Sequence, residues 1–244
     1  TFWGIMSDGF STPLFFILIS YSFINPKPAH IGEDSEAQTI ENITFDLYHQ
    51  IGLSAYGLPV DIFKNAYTGF LNLTREGKLS DKEILSIIDY SRSANEKRLW
   101  IIDLKSQKVL LHTLVAHGKN TGEEFANNFS NVSGSLKSSL GFFVTGTTYQ
   151  GSNGLSLYLD GMERGTNHNA RSRYIVMHGA DYVSEECIDE NGRLGRSFGC
   201  PAVSRELEEE IIYTLAEGTC LFSYFPDSKY LSDSRLLDTE GLFA

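Results

Sequence analysis

The most informative segment of this chain reads Arg193-Leu-Gly-Arg-Ser-Phe-Gly-Cys-Pro-Ala202. It follows a second segment, Tyr174-Ile-Val-Met-His178, after a short loop. The residues before His178 favour a β-strand, so we expect a rigid element to hold the imidazole. Cys200 lies among glycines, a serine and two arginines, and nearby positive charge stabilises the thiolate that makes a cysteine nucleophilic. A histidine followed by such a cysteine predicts covalent acyl-transfer chemistry.

Composition limits the classes of partner. The 244 residues include 31 acidic and 20 basic side chains, which gives a net charge of −11 at pH 7. Nucleic acid needs a basic surface, so we exclude it as a partner. Between residues 161 and 200 every lysine-or-arginine position is an arginine. A guanidinium group pairs with a carboxylate through two hydrogen bonds, so we predict that Arg196 and Arg193 bind a substrate carboxylate.

An apolar run occupies residues 13–24 near the start of the chain. Twelve residues are too few to cross a bilayer comfortably, which takes about 20, but they suit the apolar region of a signal peptide. We therefore expect an exported protein in which residues 1–35 form a signal-like leader and linker. No basic segment precedes the run, so a buried N-terminal element is the alternative.

Helical spacing predicts an α-helical extension over residues 36–79. Apolar residues recur at intervals of three and four between Glu36 and Ser54. Pro59 suits the first turn of a second helix, and Gly77 suits its end.

Short apolar runs predict a mainly β catalytic domain over residues 80–228, followed by a C-terminal tail over residues 229–244. The predicted strands are Ile84–Asp89, Leu99–Leu104, Val109–Val115, Gly141–Gly146, Leu155–Leu159, Tyr174–His178 and Thr219–Phe225. For the first of these, Ser80 and Glu83 form a capping-box pattern that favours a helix, but we prefer a strand. Ser204 is predicted to cap a helix that runs to Glu217. The expected class is α+β, mainly β: a β-sandwich with a few helices.

Several motifs agree with one known family. A strand histidine followed by Ser197-x-Gly199-Cys200 resembles the signature of the L,D-transpeptidases, the YkuD-like catalytic domains of bacterial cell-wall enzymes. The chain is most similar to the murein L,D-transpeptidase subgroup. Further matching motifs are His178-Gly-Ala-Asp181, Leu99-Trp-Ile-Ile-Asp-Leu104, Val115-Ala-His-Gly118 and Ser138-Ser-Leu-Gly141. The resemblance runs from about Ile84 to Asp227 and implies a YkuD-like β-sandwich.

The candidate catalytic groups are Cys200 as nucleophile and His178 as its base. The resemblance implies that the backbone carbonyl of Gly179 orients the imidazole, and Asp181 is the alternative orienting group. A tight Gly-Cys turn leaves backbone amides exposed, so we expect the amides of Gly199 and Cys200 to form the oxyanion hole. One such donor contributes ~3 kcal/mol to transition-state stabilisation.

Two further residues are candidates for substrate binding, and two depart from the family pattern. Ser197 precedes the nucleophile, and His117 matches a motif of the subgroup, although a purely structural role for His117 is equally open. The broad family has histidine at the position of Phe198 and asparagine at the position of Ala202. We expect Phe198 to pack beneath the loop and hold Cys200 in place.

Neither a metal nor a cofactor is expected. His112 and His117 are five positions apart, and an odd spacing along a strand sends side chains to opposite faces. No zinc-binding motif of the His-Glu-x-x-His or Cys-x-x-Cys type occurs. Cys220 lies in an apolar run and is expected to be an inert core thiol, whereas acidic neighbours make Cys187 a poor nucleophile. A Cys187–Cys200 disulfide is not expected, because it would disable the nucleophile.

The resemblance implies an enzyme that attacks the bond between the third residue, a diamino acid, and the D-alanine of a peptidoglycan stem peptide. Transfer to an amine of a second stem gives a 3→3 crosslink, and carbapenem-type inhibitors are expected to acylate Cys200. Three alternatives stay open. An L,D-carboxypeptidase would pass the same thioester to water, a papain-like endopeptidase would place cysteine before histidine, and a wall-binding domain would have no activity.

Overall fold

Two helices open the part of the chain that the computed structural model describes, residues 33–242. Helix α1 covers Glu33–Ile51 and helix α2 covers Val60–Arg75, close to the predicted bounds. Gly52 ends α1 with a φ of 74°, a left-handed conformation that glycine adopts without steric cost. The apolar run at residues 13–24 lies outside the described residues. Among the residues described, no helix is long and apolar enough to cross a membrane.

Within the described residues, eight strands form one continuous sheet, which confirms the prediction of a mainly β fold with a few helices. The strands are β1 Ile84–Asp89, β2 Leu99–Asp103, β3 Lys108–Thr113, β4 Gly141–Gly151, β5 Gly154–Gly161, β6 Val176–Ala180, β7 Ala202–Ser204 and β8 Cys220–Tyr224. Their order across the sheet is β3-β2-β1-β8-β4-β5-β6-β7, with β1–β8 and β6–β7 parallel and the other pairs antiparallel. A bridge between Ala116 and Ala202 links the segment after β3 to β7. The two ends of the sheet therefore meet.

Strand β1 is buried on both faces. Ile84 and Ile88 point into the core enclosed by the sheet, whereas Leu85 and Ile87 pack against helices α1 and α2 on the outside. A strand covered on both sides has no need for polar residues, so it loses the alternating pattern that identifies a half-exposed strand. The segment therefore had no alternating pattern to set against the capping-box signal of Ser80 and Glu83. Glu83 has a φ of 50°, which is not helical, and the predicted strand is confirmed.

The helix predicted from Ser204 to Glu217 is shorter than expected. Helix α4 covers Glu208–Leu215, and Ser204 instead ends strand β7. The Ser204 hydroxyl accepts the N–H of Leu207 at 3.3 Å, so it caps a turn rather than the helix. Helices α3, Glu185–Asn191, and α5, Ser228–Asp233, were not predicted. Each has an N-cap side chain, and α5 lies at the start of the predicted tail.

Candidate active site

Cys200 ends a tight turn that Ser197 holds in place. The Ser197 hydroxyl accepts the N–H of Gly199 at 3.0 Å and donates to the carbonyl oxygen of Cys200 at 2.6 Å. Gly199 has a φ of 128°, and a Cβ at this position would lie 2.9 Å from the carbonyl oxygen of Lys137. Both facts require glycine here. Ser197, predicted to contact substrate, is buried and acts on the shape of the turn.

The oxyanion hole predicted from two amides is only partly available. Because the Gly199 N–H already donates to the Ser197 hydroxyl, it is not a free donor in this conformation. The Cys200 N–H has no hydrogen-bond partner in the part of the chain that is described. One amide, rather than two, is therefore open to a developing oxyanion.

His178 lies on strand β6 with one ring nitrogen fixed. Its Nδ1 lies 2.9 Å from the carbonyl oxygen of Gly179, so the hydrogen bond expected at this carbonyl is present. In a neutral imidazole, a donating Nδ1–H leaves Nε2 without a proton. Nε2 has no hydrogen-bond partner within residues 33–242. Burial lowers the pKa of His178 below its usual 6.5, so the ring is neutral at neutral pH and can accept a proton.

Strand pairing brings the turn that carries Cys200 next to strand β6. His178 pairs with Ala202 in the parallel β6–β7 ladder, and Cys200 lies in the turn two residues before Ala202. The Cys200 sulfur lies 3.5 Å from the backbone nitrogen of Val176, two residues before His178 on β6. The sulfur is therefore packed against the backbone of the strand that carries the imidazole.

In this conformation the Cys200 sulfur forms hydrogen bonds with backbone groups only. It accepts the N–H of Val176 and donates to the carbonyl oxygen of Tyr174 at 3.4 Å. Tyr174 has a φ of 56°, a left-handed conformation that is uncommon for a large side chain and occurs at functional sites. Burial raises the pKa of the Cys200 thiol, and the Val176 N–H and the charge of Arg173 oppose this rise. The resting pair is therefore a neutral thiol and a neutral imidazole.

The arginines predicted to hold a substrate carboxylate instead hold a carboxylate of the protein. Arg196 Nη1 lies 2.7 Å from one oxygen of Glu123, and Arg193 Nη2 lies 3.1 Å from the other. Arg196 also donates to the carbonyl oxygens of Lys119 and Gly122. Both guanidinium groups therefore share the single Glu123 carboxylate and are engaged within the protein.

His117 takes the structural role, one of the two that were left open for it, and Phe198 is not packed as expected. His117 is fully buried, its Nδ1 accepts from Arg98 Nη2 at 2.8 Å, and its Nε2 donates to the Gly122 carbonyl. Burial and the charge of Arg98 lower the pKa of His117 to about 4, so it is a neutral structural group out of reach of substrate. Phe198 is 70% exposed rather than packed beneath the loop. The ammonium of Lys119 lies 4.7 Å from its ring centre.

A scan against models of protein families matches residues 54–224 to the L,D-transpeptidase catalytic domain. The match covers well over half of the chain and includes both His178 and Cys200. This chain belongs to the L,D-transpeptidase catalytic domain family. The resemblance found in the motifs is thereby confirmed.

A comparison of this L,D-transpeptidase domain with solved structures finds several partial matches at low sequence identity. An L,D-transpeptidase from Mycobacterium smegmatis is 12% identical, with a TM-score of 0.36 over 59% of each chain. The L,D-transpeptidase LdtMt1, solved with imipenem, is 13% identical, with a TM-score of 0.36 over 58% of this chain and 59% of that one. The cell shape determining protein Pgp2 from Campylobacter jejuni is 12% identical, with a TM-score of 0.40 over 66% of this chain and 57% of that one. The chain thus spans under two thirds of their length. The search of curated proteins finds no match.

Glu208 lies beside His178, the candidate base of this L,D-transpeptidase domain, and the sequence analysis did not identify it. Its carboxylate accepts the N–H of Gly179 at 3.1 Å and pairs with Arg205 at 3.0 Å. A Cβ at Gly179 would lie 2.5 Å from the Glu208 carboxyl carbon, so glycine is required here too. Asp181, the alternative orienting group, has a side chain that is 90% exposed, and its ion-pair partner is Arg205. No motif distinguishes Glu208 from the other acids of its helix.

Arg173 is a second residue of the site that the sequence did not single out. Its guanidinium supports the loop before β4 through four neutral oxygen atoms, those of the Ser130 and Lys137 carbonyls and the Ser135 and Ser139 hydroxyls. Its Nε is buried without a partner among the described residues. Its charge lowers the pKa of the Cys200 thiol. Arg173 is therefore a full positive charge beside the nucleophile.

Replacing Arg173 with glutamine is expected to slow alkylation of Cys200. Loss of the positive charge disfavours the thiolate, so we expect the iodoacetamide rate at neutral pH to fall roughly three- to tenfold. Arg171→Gln is the matched control, because Arg171 lies two residues away and pairs with Asp160 on the surface. Rates measured from pH 6 to 10 separate the charge effect from loop damage, because a charge effect vanishes once the thiol is ionised. Equal profiles for the two variants would contradict the assignment.

The remaining cysteines and possible metal ligands do not contribute to the site. All three cysteines are free, so Cys200 is not locked in a disulfide. Cys220 is buried in strand β8, where burial raises the pKa of its thiol, as expected for a core thiol. Within the described residues, no group of three or more His, Cys, Asp or Glu side chains is arranged to hold a metal ion.

Proposed function

We propose that the chain is a cysteine-dependent acyltransferase that acts on peptidoglycan stem peptides. One observation carries the proposal: the hydrogen bond from His178 Nδ1 to the Gly179 carbonyl leaves Nε2 free on strand β6, and the Cys200 sulfur lies against the backbone of that strand. A base with this tautomer and a neighbouring thiol are what thioester chemistry requires. Family membership supports peptidoglycan as the substrate class.

In the first half-reaction, Cys200 attacks the carbonyl carbon that joins the diamino acid to D-alanine. The sulfur first turns from the Tyr174 carbonyl towards His178, and its proton passes to Nε2. The carbon–sulfur bond forms, and the oxyanion accepts the N–H of Cys200. As the tetrahedral intermediate collapses, the carbon–nitrogen bond breaks and D-alanine leaves with the proton from Nε2. A thioester and neutral His178 result.

In the second half-reaction, the amine of a second stem peptide attacks the thioester. Its proton passes to His178, the carbon–sulfur bond breaks, and the proton returns to Cys200. The product is a 3→3 crosslink, and the enzyme is regenerated.

Water in place of the amine gives a trimmed tripeptide, the L,D-carboxypeptidase outcome. Analysis of muropeptides after incubation with the protein distinguishes dimers from tripeptides. The substrate lies outside the cytoplasmic membrane, so the proposal includes export.

Acylation by a carbapenem tests the nucleophile directly. We expect intact-mass analysis to show one covalent adduct on the wild-type protein and none on Cys200→Ala, because the attacking sulfur is then gone. Cys187→Ala is the control, because Cys187 lies on helix α3 rather than on the turn, and its adduct should persist. An unmodified wild-type protein would support the non-catalytic wall-binding alternative, and equal labelling of Cys200→Ala would show that Cys200 is not the nucleophile.

A further inference from the structure

Three positively charged residues on the segments that adjoin the Cys200 turn have no carboxylate to compensate them. They are Lys119, Lys137 and Arg173, and in the part of the chain described none of them forms an ion pair. This is unexpected in a chain whose net charge is −11. The acid nearest to this loop in sequence, Glu123, is already neutralised by two arginines. The site is therefore a local region of positive charge in an acidic protein, which favours an anionic ligand.

The backbone fixes both lysines beside the catalytic turn. The N–H of Lys119 donates to the carbonyl oxygen of Ser197 at 2.8 Å. The carbonyl oxygen of Lys137 would lie 2.9 Å from a Cβ at Gly199, so this residue is packed directly against the turn. That same carbonyl accepts from Arg173 at 2.7 Å. The two lysines thus belong to segments that adjoin the residues immediately before Cys200.

The side chain of Lys119 lies on Phe198, where the broad family has histidine. Its ammonium is 4.7 Å from the centre of the exposed ring, an arrangement that holds a cation in place without neutralising it. Lys137 Nζ donates to the side-chain oxygen of Asn128 at 2.8 Å, which is again a neutral partner. An ammonium has three donor hydrogens, so each lysine has capacity left for a ligand oxygen.

We propose that Lys119 and Lys137 bind a carboxylate group of the substrate beside Cys200. The two lysines would then bind the carboxylate that the sequence analysis assigned to Arg196, whose guanidinium pairs with Glu123. The inference rests on the proposed function for the identity of the substrate, and it adds that the stem peptide is read through a free carboxylate. Two carboxylates lie close to the scissile bond: the C-terminus of D-alanine and the side-chain carboxylate of a dicarboxylic diamino acid.

Binding to the inactive Cys200→Ala protein tests the subsite without turnover. The ligands are a synthetic stem tetrapeptide with both carboxylates free and two analogues in which one or the other is an amide. We expect calorimetry to show about tenfold weaker binding of one analogue. The analogue that loses affinity identifies the carboxylate involved. When Lys119→Gln and Lys137→Gln are added together, the affinity for the free acid should fall to that measured for this amide. The affinity for the amide itself should not change.

Two variants show whether the effect is specific to these ammonium groups. Lys119→Arg retains a cation over Phe198 and should keep most of the preference for the acid. Lys105→Gln removes a lysine from the β2–β3 turn and should change nothing. Three results would overturn the subsite: equal affinity for the acid and the amides, a preference for the acid that survives the double substitution, or no measurable binding. Turnover by the wild-type protein is measured separately. Crosslinking together with equal affinity for the acid and the amides would support the proposed function and contradict the subsite. A lysine-dependent preference for the acid without crosslinking would support the subsite and contradict the proposed function.

Discussion

Replacing His178 with glutamine is expected to lower the rate of carbapenem acylation at neutral pH by about 10²- to 10⁴-fold, the usual contribution of a positioned base. Glutamine is similar in length and has an amide that can still donate to the Gly179 carbonyl. It has no group that accepts the proton of Cys200. The rate constants follow from intact-mass time courses at several carbapenem concentrations.

The dependence on pH gives this prediction a distinct signature. In the wild-type protein the active form is neutral His178, so the rate should rise with pH through a His178 pKa that burial holds below 6.5, and then level off. In His178→Gln only the thiolate can attack. Because burial raises the pKa of Cys200 above its usual 9.0, the rate of the variant should continue to rise into the alkaline range. The two profiles therefore separate base catalysis from structural damage.

His49→Gln is the control for this experiment, because His49 is exposed on helix α1. It should leave the rate and its pH profile unchanged. A His178→Gln rate within about threefold of wild type, or the same pH profile, would show that His178 is not the base.

Replacing Gly199 with alanine is expected to lower acylation by about 10²-fold or more. The new Cβ would lie 2.9 Å from both the carbonyl oxygen of Lys137 and the side chain of Ile175, and neither position is open. The φ of 128° adds strain for any residue with a Cβ. The turn must shift, and a displacement of about 1 Å at reacting atoms costs on the order of 10²-fold in rate.

Gly134→Ala is a closely matched control for that substitution. Gly134 also has a positive φ, 73°, but a Cβ there would meet nothing within 4 Å. The control therefore experiences backbone strain without the collision. We expect it to lose about 1 kcal/mol of stability and to acylate normally. Urea unfolding of both variants shows whether Gly199→Ala is folded under the assay conditions. Equal acylation rates would contradict a rigid role for the turn.

Local patterns were sufficient to predict most of the strands and the two central residues of the site. Strand-forming residues precede His178, and small residues surround Cys200. Each of these patterns extends over only a few positions, so a single segment of the sequence contains it. The Gly179 hydrogen bond is equally local, since it joins neighbouring residues. The same kind of reasoning failed at Ser204, because its hydroxyl can cap a turn as well as a helix.

Groups brought together from distant segments could not be predicted. Glu208 reaches Gly179 from a helix 29 residues later in the chain. Arg98, the residue directly before strand β2, binds His117 and helps to fix it in a structural role, one of the two roles left open by the sequence. Glu123 lies 73 residues before Arg196 in the chain and neutralises it, although the arginine looked free in its own segment. In each case the sequence shows the side chain, and only the packing of the sheet shows its partner.

The bridge between Ala116 and Ala202 places Cys200, the candidate nucleophile, beside the seam where the sheet closes. Within residues 33–242, four backbone hydrogen bonds join this seam: two between Ala116 and Ala202 at 2.8 and 3.4 Å, and two that join Ser197 to His117 and Lys119 at 3.0 and 2.8 Å. Such a sparse contact opens locally more readily than a long central ladder, as amide hydrogen exchange shows for other proteins. Opening there would separate the thiol from its surroundings while the centre of the domain stays intact. A nucleophile in this position is assembled only when the fold is complete, so partially folded chains would have no reactive sulfur to misdirect.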